Sequence, residues 1–223
     1  MPRIHFHLQL AELKDKLLAM AALSQQAVAS AVYAYLQHDE GLCQYVRENE
    51  TAINAAQREV DEMAYELLAQ EQPMAIDLRF ILSVIKINGD LERIGDQAMS
   101  IAFHCMDTIE EDTADLPVDI GGMADYAGTM IRSSIQALLE GDAQLAESIR
   151  NMDDEIDRMN RVAQIDLTRV IQERPNVARQ ALQAIIVARN LERIADHATN
   201  IATDVIFWIR GADVRHQLSM AVD

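Results

Sequence analysis

Glu92 and Asp96 stand four residues apart, and so do Glu192 and Asp196. On a helix this spacing places both carboxylates on one face. Like charges so placed cost a helix about 0.2–0.5 kcal/mol per pair, so something must compensate, either a bound cation or basic side chains. Oxygen-only donor sets suit hard or borderline cations such as Mg²⁺, Ca²⁺, Mn²⁺ or iron. A second set of positions repeats the spacing: Glu50 with Asn54, and Asp153 with Asp157. If the helices carrying these residues pack against those carrying the first pairs, four oxygen-bearing side chains converge in each half of the chain. The competing reading is a charged helix face satisfied by Arg93, Arg193, Lys86 or Arg158. The residues alone leave both readings open.

Other chemistry finds little support. A ferritin-like di-iron bundle needs Glu-x-x-His pairs, and no glutamate here has a histidine three residues on. His197 follows Asp196 directly, about 100° around a helix from it, which suits a supporting or surface position better than a ligand. The chain has no Gly-rich phosphate loop, no G-x-S-x-G elbow and no H-E-x-x-H, so the usual catalytic motifs are missing. Clustered carboxylates acting as in a di-metal hydrolase, or a bundle that binds no metal, are the alternatives to a binding protein.

The elements that must position these residues are helices. Half of the 223 residues are hydrophobic, aromatics make up only 4%, and there are 8 glycines and 4 prolines. Ala, Leu, Gln, Glu, Arg and Met keep their rotamer freedom in helices, and the β-branched and aromatic excess of a sheet protein is missing. Six long helical segments are expected. The first runs from about Ile4 to His38, with Leu10, Leu13, Leu17, Met20, Ala21, Ala27, Val28 and Ala31 at helical spacing. Gly41 marks the turn to a second helix, Leu42 to Gln70. Pro73 falls in the first turn of a third, which runs to about Ile109, and proline is tolerated there. Glu110 to Pro117 is an acidic break. A fourth helix runs from Ile120 to Leu139. Gly141 and Asp142 supply a C-cap and an N-cap before a fifth helix that continues to Gln172. Pro175 opens the sixth, which Gly211 ends.

The pattern repeats. Residues 87–102 laid on 187–202 give eight identities in sixteen positions, including Leu91/Leu191, Glu92/Glu192, Arg93/Arg193, Ile94/Ile194 and Asp96/Asp196. An offset of 103 places Glu50 on Asp153, Ile53 on Ile156 and Asn54 on Asp157. The chain therefore reads as an all-α protein of two tandem three-helix bundles, residues 1–112 and 113–223. On the last helix the stripe Ala181, Ile185, Ala188, Glu192, Asp196, Asn200, Asp204 turns from apolar to acidic midway, and carboxylates on such a stripe are partly desolvated.

The formal charge of −17 disfavours phosphate backbones and anionic membrane surfaces, so no nucleic-acid partner is expected. Residues 17–38 carry no Asp, Glu, Lys or Arg and are long enough to cross a bilayer. Ser24, Gln25, Gln26, Ser30 and Gln37 interrupt them, so a packed bundle helix is expected rather than membrane insertion. The first ten residues lack a signal-peptide core. Cys43 and Cys105 are expected as buried reduced thiols of a cytoplasmic protein.

The doubled stretch LERIGD at 91–96 and LERIADHATNIA at 191–202 resembles the PhoU family of phosphate-transport and phosphate-signalling regulators. Gln72-Pro73 followed by Asp77-Leu78-Arg79, and Arg3, Phe6, Leu10, Leu13 and Met20 near the start, carry the resemblance across the chain. It implies two similar three-helix bundles and a cytoplasmic, often dimeric protein without catalytic activity. It also implies repression of phosphate uptake and of the phosphate-starvation response. The implied partners are a phosphate-sensing histidine kinase and the ATP-binding subunit of a phosphate ABC transporter. The implied cofactor is a multivalent metal (iron, manganese, zinc or magnesium). Carried over by motif, its ligands are Glu50, Asn54, Glu92 and Asp96 in the first half and Asp153, Asp157, Glu192 and Asp196 in the second, with Asp154 and Asn200 beside them. Asn54 stands where a carboxylate is expected, and Ala195 where the first half keeps Gly95. The first site is therefore expected to hold metal more weakly.

Overall fold

The computed structural model describes residues 2–109, 111 and 114–211, with side chains from Ile4 onward. Among these residues the regular secondary structure is all helical: α1 Pro2–Gln37, α2 Glu40–Glu71, α3 Ala75–Met106, α4 Ile120–Glu140, α5 Ala143–Arg150, α6 Asp153–Glu173 and α7 Ala178–Arg210, with Pro175 opening a short 3-10 turn, Pro175–Val177, just before α7. Helices α1–α3 form one three-helix bundle, and α4, the α5–α6 unit and α7 form the other. The expected boundary between residues 112 and 113 falls outside the described residues.

Capping explains several helix ends. Asp39 accepts a hydrogen bond from the Leu42 N–H and Asp142 accepts from the Gln144 and Leu145 N–H groups, as N-cap carboxylates do. Gly141, at φ +65°, closes α4, and Gly211, at φ +70°, closes α7. Both adopt the left-handed conformation that ends helices.

Three local expectations are corrected. Gly41 lies inside the first turn of α2; the turn is made by His38, at φ +53°, and the N-cap Asp39. Pro73 precedes α3 instead of opening it. Gln72, at φ +47°, closes α2, and an extended Met74 caps α3. The single fifth helix is broken at Asn151–Met152 into α5 and α6. The run Asp153-Asp154-Glu155 gives the reason. Acidic side chains are favoured in a first turn, where the helix dipole is positive, and asparagine is a weak helix former.

The two bundles are not separate bodies. One continuous apolar core runs through both, and the most extensive helix–helix interface is α3 against α7. These two helices run antiparallel, with Arg79 Nε donating to the Trp208 carbonyl at 3.0 Å at one end and Gln183 donating to Asp107 at 3.2 Å near the other. The seam has an approximate two-fold. Asn200 donates to Asp90 at 3.4 Å, and at the repeat-equivalent place Asn190 donates to Ser100 at 2.9 Å.

Helix α1 is apolar enough to span a membrane by composition. Its Leu13, Leu17, Met20, Ala21, Ala27 and Ala31 are buried against α2, α3 and α4. Ser24 within that stripe donates to the Leu91 carbonyl at 2.9 Å, so its hydroxyl is satisfied inside the core. Cys43 and Cys105 are free and buried, as expected. Burial pushes the Cys105 thiol up to about 12, which makes it a poor nucleophile.

Candidate metal centre

The halves gather their acids to different degrees. In the second half Asp157 of α6 and Glu192 and Asp196 of α7 each offer a carboxylate oxygen, all within 4.8 Å of one another. Local packing produces this. Ile156 of α6 and Leu191, Ile194 and Ala195 of α7 are buried, and the acids flank that apolar seam. One turn before Asp157, Asp153 accepts a hydrogen bond from Thr199 Oγ1 at 3.1 Å. The antiparallel α6 and α7 thus set Asp153 beside Thr199, and Asp157 beside Asp196 and Glu192.

These carboxylates repel one another in partial burial. Burial, then Glu192, Asp153 and Asp157, push the Asp196 carboxyl up to about 6, with His197 pulling the other way. Burial and the Asp157 charge raise Glu192 above the usual carboxylate range, against the milder pull of Arg193 and Arg189. Burial raises Asp153 as well, opposed by the Thr199 hydrogen bond. Of the basic side chains expected to compensate, Arg158 pairs with Glu155 at 2.6 Å, Lys86 with Asp204 at 3.1 Å and Arg93 with Asp90 at 3.9 Å, while Arg193 stays near enough to pull on Glu192. Among the described residues, the only ion pair to this group of four acids is Arg161 with Asp157 at 3.8 Å. A half-buried set of oxygens whose burial and mutual repulsion outweigh the pull of Arg161, Arg189 and Arg193 fits a hard or borderline divalent ion.

In the first half Glu50 and Asn54 lie on α2, and Glu92 and Asp96 on α3. Glu92 is raised by burial first, then by Asp96, with Glu50 adding to the effect; these acids share one neighbourhood. Asp96 is exposed, and Asn54 contributes an amide in place of a charge. Among the described residues no three carboxylates gather here as closely as in the second half. Two stripe positions point elsewhere. Asn200 turns to α3 and Asp90, and Asp204 is 5% exposed and paired with Lys86. Asp154 is exposed at the start of α6.

Several polar residues escaped the sequence reading. Asp90 is 6% exposed and lies 2.9 Å from His197 Nδ1, so His197 belongs to the α3–α7 seam. The available signal was that Asp90 and Asn190 are both polar at equivalent positions of an otherwise apolar face. Tyr126 of α4 donates to the Met152 carbonyl at 3.0 Å, at the α5–α6 break. Its signal, a lone tyrosine, carries no information about a partner so distant in sequence.

Two segments of the chain, residues 17–104 and 120–205, each match the model of the PhoU domain. The chain belongs to the PhoU family. All eight candidate ligands fall inside the two matched segments. The chain is 40% identical over 212 residues to a phosphate-specific transport system accessory protein PhoU homolog of Pseudomonas putida, covering 95% of this chain and 83% of that protein. It is 38% identical over 212 residues to the Pseudomonas aeruginosa homolog, covering 95% and 88%. Among solved structures it is similar to PhoU from P. aeruginosa, with a TM-score of 0.89 and 37% identity over 93% of this chain and 100% of the other. It is also similar to the phosphate transport system regulatory protein PhoU from Streptococcus pneumoniae, with a TM-score of 0.84 and 26% identity over 94% and 99%. The two tandem bundles are thus the fold of the PhoU family.

Proposed function

We propose that this chain is a non-enzymatic cytoplasmic regulator that restrains phosphate uptake and the phosphate-starvation response. It does so by docking on a phosphate-sensing histidine kinase and on the ATP-binding subunit of a phosphate ABC transporter. The observation that carries the reading is membership of the PhoU family with near-full coverage of relatives named as accessory proteins of the phosphate-specific transport system. The charge of −17 supports docking through an acidic surface to basic partner patches. The same charge makes the bundle a poor anion receptor, so phosphate status reaches it through a partner.

Asp157, Glu192 and Asp196, with Asp153 beside them, would hold a divalent cation such as iron, manganese, zinc or magnesium. Glu50, Asn54, Glu92 and Asp96 would form a weaker first site. A bound cation would neutralise the repelling carboxylates and so tie α6 to α7. The carboxylates themselves, set on two helices packed over a shared apolar seam, hold the donor atoms together before any ion arrives.

The test is a pull-down with the purified kinase and the transporter ATPase, paired with elemental analysis of protein purified without chelator. Capture of both partners and a divalent metal in the protein are expected. Capture of neither partner would overturn the regulatory reading, and protein free of metal would overturn the metal reading. Metal-dependent turnover that Glu192→Ala abolishes would favour a hydrolase instead.

A further inference from the structure

The repeat supplies an internal comparison at the acidic sites. Asp153 and Glu50 occupy equivalent positions, and so do Thr199 and Met99, at the offset of 100 that aligns α7 with α3. The second half thus has a hydroxyl where the first half has Met99, and that hydroxyl donates to Asp153 at 3.1 Å. Methionine has no such donor.

A second contact acts on the same residue through the backbone. Asp153 is the first residue of α6, immediately after the break at Asn151–Met152. Tyr126 Oη donates to the Met152 carbonyl at 3.0 Å, so α4 fixes the backbone just before Asp153 while α7 fixes its carboxylate. In the first half α2 runs unbroken through Glu50. Groups that orient a ligand in this way change metal affinity without touching the metal.

We propose that Thr199, backed by Tyr126, is a positioning residue that sets Asp153 as a fourth oxygen donor beside Asp157, Glu192 and Asp196. This makes the second site the tighter of the two for a divalent transition metal. The inference rests on reading those carboxylates as a cation site. Thr199 lies one turn beyond Asp196 on α7, and Asp153 one turn before Asp157 on α6. The hydrogen bond therefore extends the pair of facing acids by one rung. It also restricts Asp153 before an ion arrives, which lowers the ordering cost of binding.

The experiment titrates Mn²⁺ into the full chain, stripped with EDTA and dialysed, by calorimetry, with the Mn²⁺ electron-paramagnetic-resonance signal as a second readout. Thr199→Val is expected to weaken the tighter binding step about tenfold, and Thr199→Ser to stay within about twofold of the unsubstituted chain. Tyr126→Phe should weaken the same step about threefold. Melting in EDTA separates folding from affinity, because the Val variant is expected to unfold within a few degrees of the parent. Met99→Thr gives an independent test by placing a hydroxyl opposite Glu50, and should tighten the weaker step severalfold. A folded Thr199→Val with parental affinity would overturn the proposal, as would a Thr199→Ser weakened as much as Thr199→Val. If Thr199→Val does not fold, an unchanged weaker step in Met99→Thr overturns it. If the parent chain takes up no Mn²⁺ in either readout, the cation-site reading itself falls.

Discussion

Replacing Asp196 by asparagine keeps the shape of the side chain and removes its charge. In the folded chain that carboxyl is raised from 3.8 to about 6 by burial and by Glu192, Asp153 and Asp157. The folded state therefore binds more protons than the unfolded chain between about pH 4 and 6. The contribution of Asp196 to stability is most favourable below pH 4 and is lost as pH rises through 6. Undiscounted, the shift corresponds to about 3 kcal/mol at neutral pH, and solvent screening of a half-exposed site reduces this to about 1–2 kcal/mol. Asp196→Asn should therefore stabilise the metal-free protein at pH 7.5 by about that amount, which raises Tm by about 3–6 °C for a chain of this size. The assay is calorimetric melting in EDTA from pH 4 to 7.5. The gain should shrink on acidification and vanish near pH 4. Saturating Mn²⁺ should reverse the order, because a ligand at a hundred times its Kd adds about 2.7 kcal/mol to the chain that binds it. A variant that melts at or below the parent in EDTA at pH 7.5 would refute the reasoning and mean that nearby cations already satisfy Asp196.

Asn54→Asp should restore a carboxylate to the first site, tighten its Mn²⁺ binding and lower Tm in EDTA by about 1–2 °C through the added like charge beside Glu50; calorimetric titration and melting check both. Leu91→Ala and Leu191→Ala each remove a fully buried side chain and should cost about 2–5 kcal/mol. Because one core runs through both bundles, a single denaturation transition should shift in either variant, and a separate early transition would show that the halves unfold independently. Gly95→Ala would bring a Cβ to 2.9 Å from Ile53 Cδ1. Denaturation should show a net loss of about 1 kcal/mol, although alanine is the better helix former.

The all-α class, the tandem halves and most helix ends were legible because they depend on local properties. Helix propensity, the 3.6-residue period and capping residues such as Asp142 and Gly141 act within a few neighbours. The pairing Glu192/Asp196 was legible for the same reason, since residues four apart share a helix face whatever surrounds them. The break before α6 interrupts the single fifth helix that the periodicity predicts, although its cause is local: the dipole preference for acids in a first turn acts on Asp153-Asp154-Glu155.

What the tertiary structure decided is which faces meet. The stripe from Glu192 to Asp204 looks continuous in sequence, yet the crossing of α7 between α6 and α3 divides it. Asp196 and Glu192 meet Asp157, whereas Asn200 turns to Asp90 and Asp204 to Lys86. The raised carboxyl of Asp196 and the contacts of Thr199 and Tyr126 join residues tens of positions apart. Burial and charge proximity depend on distance in space, and only the packing of the helices over their shared core sets that distance.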